Sequence, residues 1–263
     1  MPLKKGQSSC WLAREFLWLE ETDSTNRVAL DQAQAGAPHG SVVIAEAQTA
    51  GRGRLGRSFY SPPGLNLYTS VLLRPDISLE TAPVFIQASA VAVADTVARF
   101  VSDPTSVEIK WPNDVLLSGL KTSGILVELS AEATRVAHLI LGIGVNLNVD
   151  RESFPEEFRA LATSLSSHEG RPIDRIAFAR ALFESLEETL DLCARKGFNG
   201  VRHRFEARFR MPGRHVRVLE ADGGSIEGIV HGIDDMGALL IDRDDGPRER
   251  VLAGDVTLAK GDA

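Results

Sequence analysis

One short segment carries residues whose types and spacing suit chemistry on anions. Gly51–Arg57 reads GRGRLGR and places three arginines and three glycines in seven residues. Glycine lets the backbone approach a ligand closely and leaves N–H groups free to point at it. Arginine stays charged and offers paired donors that match carboxylate or phosphate. The segment indicates an anion site, although on its own a mobile surface loop with solvated arginines explains it equally well. It is not a P-loop, because the chain has no GxxxxGK[ST] motif.

A second pair of segments places a lysine at the start of an apolar run. KWPND at Lys110–Asp114 is followed by KTSGILVE at Lys121–Glu128. Pro112 restricts Trp111 to an extended conformation, and Asn-Asp favours a turn, so a tight corner between strands is the simpler alternative. TSGILVE is typical of a buried strand, and a lysine at the mouth of such a strand can be held against a ligand. An ordinary surface lysine remains the alternative.

A third segment, GIGVNLN at Gly142–Asn148, is a weaker signal. A GxG on a strand often reflects close backbone packing. The segment lacks the GxGxxG spacing and the following helix of a dinucleotide site.

The elements that must position these segments are strands and helices in alternation. Asp23–Asn26 is rich in helix-capping side chains and predicts a helix that ends at Gly36. Apolar and β-branched runs predict strands, and two stretches with helical apolar spacing predict long helices. The predicted strands are 41–48, 66–73, 107–110, 123–129 and 136–148, and the long helices are 81–101 and 173–196, the second closed by Gly197.

The connection between the last two of these strands limits the topology. Ser130–Thr134 is too short for a parallel crossover, so the pair is predicted to be antiparallel and the sheet is not a doubly wound dinucleotide fold. After about Phe205, short strand candidates at 216–218, 225–230 and 238–241 alternate with AspGlyGly and AspAspMetGly turns. They predict a small β-barrel of about five strands. The predicted domains are residues 1–204 and 205–263.

Composition excludes several classes of protein. The 263 residues carry a net charge of −7, which argues against a general nucleic-acid surface. Cys10 and Cys193 are too few and too far apart to indicate a disulfide framework or a metal cluster. No apolar run approaches the roughly 20 residues that a membrane helix requires, and no long apolar stretch follows the N-terminal lysines, so no signal peptide is predicted. We expect a cytoplasmic protein.

Together the segments closely resemble the biotin protein ligase family, in order and approximate spacing, from about Glu20 to the C-terminus. The matching motifs are DSTN at 23–26, AEAQTAGRGRLGR at 45–57, NLY at 66–68, KWPND at 110–114, KxxGILVE at 121–128 and GIGVNLN at 142–148. In the tail, GIDDMGALLID at 232–242 resembles the family's C-terminal domain. The resemblance implies an α+β fold: a mixed, largely antiparallel sheet packed with helices, similar to class II synthetases, followed by a small SH3-like β-barrel.

The resemblance also implies a two-step reaction and a set of site residues. Biotin and ATP would give biotinyl-5′-adenylate and pyrophosphate, with Mg²⁺ on the phosphates, and a lysine of a biotin carboxyl carrier protein would then attack the adenylate. Lys121 and Arg54 would be catalytic, and Asp114 would help to hold Mg²⁺. Biotin would be bound by Ser24, Thr25, Asn26, Gln48, Arg52, Gly53, Arg54, Lys121 and Gly124. ATP or the adenylate would be bound by Arg52, Arg54, Phe59, Asn113, Lys121 and Asn146.

The charges of the reactants agree with this set. Attack of a carboxylate on a phosphate brings two anions together, and at about 4 Å each unit repulsion is roughly 4 kcal/mol at an effective dielectric near 20. One well-placed cation is therefore worth up to about a thousandfold in rate. The carboxylate is itself the nucleophile, which fits the absence of cysteine from every motif.

Some features depart from the family pattern. Leu55 stands where many members have a basic residue, and Phe59 where tryptophan is common. Because Arg52 and Arg54 remain, we expect altered retention of the intermediate at most. Many bacterial members carry an N-terminal DNA-binding domain. Only 22 residues precede Asp23, fewer than the roughly 50 that a small domain needs, so we expect no binding to operator DNA.

Two rival interpretations stay open from the sequence. Lipoate ligases and octanoyltransferases resemble the same catalytic fold, but the octanoyltransferases use a cysteine and the lipoate ligases generally lack the GRGRxGR and KWPND pairing. A non-catalytic biotin-sensing protein is the second rival, and the intact Arg54, Asp114 and Lys121 argue against it. The sheet edge beside the arginine-rich segment could pair with a carrier domain or with a second copy, so a homodimer is possible.

Overall fold

The computed structural model describes residues 11–220 and 223–258. The predictions that concern residues 1–10, including Cys10 and the lack of a signal peptide, lie outside the described residues, as does Asp222 of the predicted AspGlyGly turn. The described residues form twelve strands and six α-helices.

The centre of the protein is a seven-stranded sheet with the order β1-β2-β3-β7-β6-β5-β4. β1 and β2 are parallel, and every other neighbouring pair is antiparallel, which confirms the predicted mixed, largely antiparallel sheet. The strands are β1 (Phe16–Thr22), β2 (Val42–Gln48), β3 (Leu67–Leu73), β4 (Val107–Lys110), β5 (Asp114–Leu117), β6 (Leu120–Glu132) and β7 (Arg135–Val145).

Helices cover both faces of this sheet because the side chains of a strand alternate between faces. On β2, Val42 and Ile44 point into the main core, whereas Val43 packs against the helix that follows β1. The helices are α1 (Thr25–Gln34), α2 (Val84–Phe100), α3 (Glu156–Arg159), α4 (Leu165–Glu169), α5 (Arg175–Lys196) and α6 (Arg202–Glu206). The predicted helices at 81–101 and 173–196 are confirmed as α2 and α5, with small differences at their ends.

One helical stretch corrects the expectation that no apolar run is long enough for a membrane helix. Leu79–Phe100, which contains α2, is long and apolar enough by length and composition to cross a membrane. However, 72% of its apolar window is buried inside the protein, and α2 packs against α5. A core helix between a sheet and a second helix is apolar for the same physical reason as a membrane helix, because both avoid water.

The C-terminal segment forms a separate five-stranded antiparallel sheet in the order β11-β10-β9-β8-β12. This confirms the predicted small β unit of about five strands. Its strands are β8 (His215–Leu219), β9 (Ser225–Ile233), β10 (Leu239–Arg243), β11 (Glu249–Val251) and β12 (Asp255–Leu258). α6 runs across the expected boundary between residues 204 and 205, and the position of that boundary stays a prediction.

Two strands of the seven-stranded sheet were absent from the sequence-based prediction, as were β11 and β12 of the C-terminal sheet. β1 lies at the sheet edge, and its sequence FLWLEET gives no clear alternation. β5 has only four residues and begins at Asp114, the last residue of KWPND, directly after the turn formed by 111–113. A short strand of this kind is defined by its neighbours β4 and β6 more than by its own pattern.

Candidate active site

A cavity of about 650 Å³ lies over the sheet, between α1, the arginine loop (Gly51–Arg57), α3 and β12. All thirteen residues proposed from the sequence line it. They are Ser24, Thr25, Asn26, Gln48, Arg52, Gly53, Arg54, Phe59, Asn113, Asp114, Lys121, Gly124 and Asn146. Their individual roles remain predictions.

The first turn of α1 and the end of β2 build one end of the cavity. Gln48 Oε1 accepts a hydrogen bond from Thr25 N (2.9 Å), and Gln48 Nε2 donates to Ser61 Oγ (3.0 Å). A helix leaves its first N–H groups unpaired, so the Gln48 side chain supplies one of the missing acceptors. Ser24 is the N-cap residue but makes no side-chain capping bond. Ser24 also lines the cavity, and its hydroxyl is not used to cap the helix.

Asn26 is held on both sides of its amide. Its Nδ2 donates to Glu128 Oε2 (2.7 Å), and its Oδ1 accepts from Ser70 Oγ (2.6 Å). A Cβ at Gly142 would lie 2.1 Å from Asn26 Oδ1. The first glycine of GIGVNLN is thus explained by close packing against Asn26.

The arginine loop is fixed by one contact from each arginine. Arg52 pairs with Glu128, the nearest atoms being 3.0 Å apart, and Arg54 NH1 donates to Asn113 Oδ1 (3.2 Å). Arg57 forms an ion pair with Asp255 at the start of β12. These contacts place Arg52 against β6, Arg54 against the KWPND corner and Arg57 against the C-terminal sheet.

Arg54 is the most buried cation of the loop. Burial lowers the pKa of Arg54, while the carboxylates of Asp114 and Asp255 act in the opposite direction. Arginine still remains protonated. Leu55, next to it, is 58% exposed and adopts a φ of +55°, so the residue that departs from the family pattern points away from the buried part of the loop.

Lys121 reaches the same cavity from the start of β6. Its Nζ lies 2.7 Å from Asp114 Oδ1, and its backbone N–H donates to the Leu161 carbonyl (2.8 Å). A Cβ at Gly124 would lie 3.2 Å from both Cε and Nζ of Lys121, so the glycine leaves room for the lysine side chain to lie along the strand. The ammonium group is thereby aimed into the cavity.

The floor near Lys121 is formed by backbone, an aromatic ring and two amides. The Phe59 ring lies over Gly144, where a Cβ would be 2.6 Å from the ring. Asn113 Nδ2 donates to the Ile125 carbonyl (2.8 Å), and Asn146 Nδ2 donates to the Thr163 carbonyl (3.2 Å). The Oδ1 atom of Asn146 is buried without a hydrogen-bond partner. An acceptor left open in a cavity wall suits a ligand that donates an N–H.

Four residues of the site network had no role in the sequence-based prediction. They are Ser61, Ser70, Glu128 and Asp255. Glu128 carried a signal, because a carboxylate inside the apolar run GILVEL needs a reason. Asp255 carried none, because its partner Arg57 is 198 residues away.

The comparisons with known proteins agree with one another. Residues 18–146 match the biotin/lipoate A/B protein ligase family, and residues 213–258 match the biotin protein ligase C-terminal domain. The biotin--[acetyl-CoA-carboxylase] ligase of Mycobacterium tuberculosis is 36% identical over 254 residues, covering 95% of this chain and 91% of that one. The bifunctional ligase/repressor BirA of Bacillus spizizenii is 35% identical over 247 residues, covering 94% and 75%.

A solved structure gives the same answer for the fold. The biotin protein ligase from Aquifex aeolicus in complex with biotin and ATP matches with a TM-score of 0.79 and 31% identity, covering 93% of this chain and 98% of that one.

The sheet, the cation-lined cavity and the C-terminal β unit define an α+β ligase of the acid-activating kind. With relatives above 30% identity along most of its length, the chain belongs to the biotin protein ligase family. The predicted family and fold class are confirmed.

Proposed function

We propose that this chain activates biotin with ATP to biotinyl-5′-adenylate and transfers the biotinyl group to a lysine of a biotin carboxyl carrier protein. The observation that carries the proposal is the convergence of Arg52, Arg54 and Lys121 on a cavity whose other end is polar and already hydrogen-bonded. A site with these features can hold an uncharged polar head at one end and two anions at the other.

In the first step, a carboxylate oxygen of biotin attacks the α-phosphorus of ATP. The new bond joins that oxygen to phosphorus, the bond to the β-phosphate oxygen breaks, and pyrophosphate leaves with the electron pair. Lys121 and Arg54 lie where they can neutralise both anions as they approach. Each such cation can contribute up to about a thousandfold.

In the second step, the uncharged amine of a carrier lysine attacks the acyl carbon of the adenylate. An amide bond forms, the bond from the acyl carbon to the phosphate oxygen breaks, and AMP leaves. The proton of the attacking amine is released to solvent. The same cations stabilise the leaving phosphate, so both steps use one set of side chains.

Mg²⁺ fits the donor set on the protein side through Asp114. Mg²⁺ is commonly held by one or two carboxylates together with phosphate oxygens and water. Among the described residues there is no group of three or more His, Cys, Asp or Glu that could hold a metal alone. Asp114 lies in the cavity beside Lys121, so it would be the protein ligand while ATP supplies the others. The ion would supply charge neutralisation on the phosphates.

The test is incubation with biotin, MgATP and a biotin carboxyl carrier domain, followed by intact-mass measurement of the carrier. We expect a gain of one biotinyl group that requires ATP and is lost when the acceptor lysine of the carrier is replaced by arginine. An unmodified carrier, with no pyrophosphate released from biotin and ATP, would refute the proposal.

A lipoate or octanoyl transfer activity is the nearest alternative. Among the described residues the one cysteine is Cys193, which is 4% exposed in the core, and burial raises the pKa of its thiol to about 12. Such a thiol is a poor nucleophile. The buried thiol thus argues against octanoyl transfer. A lipoate ligase is tested by ligand binding: biotin with ATP, and not lipoate with ATP, should raise the melting temperature of the protein. A non-catalytic biotin sensor would show the same stabilisation without modifying the carrier.

Further expectations concern partners and location. The net charge of −7 supports the expectation that the chain does not bind operator DNA. A gel mobility shift assay in the presence of biotin would test it. A cytoplasmic location and the absence of membrane association belong to the same proposal. Within the part of the chain that the structure describes, β1 is the edge strand beside β2, from which the arginine loop continues, and an edge strand can pair with a carrier domain or a second copy. Sedimentation with and without ligands would test for a homodimer.

A further inference from the structure

One carboxylate on the sheet contacts a residue from each end of the cavity. Glu128 Oε2 accepts from Asn26 Nδ2 (2.7 Å) and from Arg52 NH2 (3.1 Å), and Glu128 Oε1 lies 3.0 Å from Arg52 NH1. Asn26 belongs to α1 and Arg52 to the arginine loop. A single strand residue therefore ties a helix to a loop through a two-point, charge-assisted contact.

The contact continues as a row of hydrogen bonds beneath the polar end of the cavity. Asn26 Oδ1 accepts from Ser70 Oγ (2.6 Å), and Ser70 Oγ lies 2.8 Å from Thr25 Oγ1. Thr25 N then donates to Gln48 Oε1 (2.9 Å). The position of Arg52 is thus connected, bond by bond, to the residues expected to hold the ring of the ligand.

We propose that Glu128 is a positioning residue: it holds Arg52 at the wall of the cavity and keeps the Asn26 amide turned toward Ser70, so that biotin and its adenylate are retained. The inference rests on the proposed function and deepens it. Glu128 is not among the residues that line the 650 Å³ cavity, so it acts through Asn26 and Arg52. Among the described residues, Glu128 forms its hydrogen bonds and ion pair with Asn26 and Arg52, and none with Lys121 or Arg54, the cations proposed to face the reacting phosphate.

The location of Glu128 predicts that its loss weakens the binding of biotin and its adenylate but not the binding of ATP. Without the carboxylate, the Arg52 guanidinium loses its two-point acceptor and the loop loses its attachment beside α1. The attachments of Arg54 to Asn113 and of Arg57 to Asp255 do not involve Glu128, so the nucleotide side of the loop keeps its contacts. Weak retention of biotin and of the adenylate should follow, with ATP binding preserved.

The test is Glu128→Gln, which keeps the shape and one oxygen for Asn26 but removes the charge. Because the two side chains are 43% and 36% exposed, the pair is partly screened. We expect KM for biotin and the release rate of biotinyl-adenylate each to rise about tenfold, KM for ATP to change less than about twofold, and the melting temperature of the ligand-free protein to stay within about 2 °C. Glu132→Gln is the matched control, because Glu132 lies on the same strand, exposed and outside the cavity.

A double-mutant cycle with Arg52→Gln separates positioning from general stability. If Glu128 acts through Arg52, adding Glu128→Gln to Arg52→Gln should worsen adenylate release by less than about twofold. Fully additive effects, wild-type release from Glu128→Gln, or equal losses for biotin and ATP with a lowered melting temperature would each overturn the inference. Failure of the wild-type protein to form any adenylate would instead refute the proposed function.

Discussion

The two ends of the cavity are built in different ways. At the polar end, Thr25, Asn26 and Gln48 sit on α1 and β2, and their side chains bond to Ser61, Ser70 and Glu128. At the other end, the arginine loop has a single 3₁₀ turn at 54–56 and is held by the side chains of its own arginines. One end is set by secondary structure and the other by contacts between charged and polar groups.

This difference indicates how each end should respond to change. Groups fixed by buried hydrogen bonds on helices and strands cannot shift without loss of stability. Ion pairs at a partly exposed loop are screened by salt and can exchange a protein carboxylate for a ligand anion. We therefore expect the polar end to be preformed and the loop end to reorganise when ligands bind.

The largest effect is expected at Lys121, which lines the cation-rich end of the cavity. Lys121→Ala removes the cation proposed to face the reacting carboxylate and phosphate, and adenylate formation should fall by about a hundredfold or more. Pyrophosphate release with biotin and MgATP measures it. The fold should survive, since the side chain is 38% exposed. Lys196→Ala, at the exposed end of α5, is the control and should leave the rate unchanged. Near-normal adenylation by Lys121→Ala would remove the role assigned to it.

Two glycines on β7 allow the ends to be compared directly by the same substitution. A Cβ at Gly142 meets Asn26 Oδ1 at 2.1 Å, and a Cβ at Gly144 meets the Phe59 ring at 2.6 Å. Asn26 is held by Ser70 and Glu128, whereas Phe59 follows the loop and can turn aside. Gly142→Ala should therefore cost about 2–3 kcal/mol of unfolding free energy, and Gly144→Ala about 1 kcal/mol or less.

Denaturant unfolding and substrate kinetics check this pair. Gly142→Ala should raise KM for biotin most, while Gly144→Ala should raise KM for ATP most. Equal losses of stability would contradict the distinction between a fixed end and an adaptable one.

The sequence was informative where a residue type is demanded locally. Arginines and glycines in the loop, the lysine before an apolar strand and the helix start at 23–26 each have a local physical cause. The full set of site residues came from the family resemblance, and all of them line one cavity. The attachments were not predictable in the same way. Arg57 pairs with Asp255, which is 198 residues away in the sequence, and no sequence periodicity predicts such a pair.

The strands show the same limit. Long runs such as β6 and β7 were found because their apolar patterns suffice. β1 and β5 were missed because one is an edge strand and the other has four residues, so pairing with neighbours defines them. Likewise, the capping side chains of Asp23–Asn26 correctly predicted a helix start, but the N-cap residue Ser24 makes no side-chain capping bond, and Gln48 accepts the hydrogen bond from Thr25 N instead.

A smaller effect is expected at the loop's attachment to the C-terminal sheet. Arg57→Gln removes the ion pair with Asp255, whose side chains are 61% and 21% exposed. KM for ATP should rise about three- to fivefold at low salt, and the difference from wild type should shrink at about 0.5 M salt because screening weakens the wild-type pair too. Steady-state kinetics at two ionic strengths measure it. Arg135→Gln, which breaks the exposed pair with Asp76, is the control. A salt-independent difference would argue against an electrostatic attachment.

The smallest effect concerns acid stability at the start of α1. The hydrogen bond from Arg27 is the main cause that lowers the pKa of Asp23 from 3.8 to about 2. A lowered folded-state pKa gives stability that is fully present above pH about 4 and is lost as pH falls toward 2. Asp23→Asn has no such contribution to lose, so its melting temperature should lie slightly below wild type at pH 7, by about 1–2 °C, and the two should converge near pH 2. A constant gap down to pH 2 would mean that the carboxylate charge is not what stabilises this turn, and that the fixed end of the cavity depends on its uncharged hydrogen bonds alone.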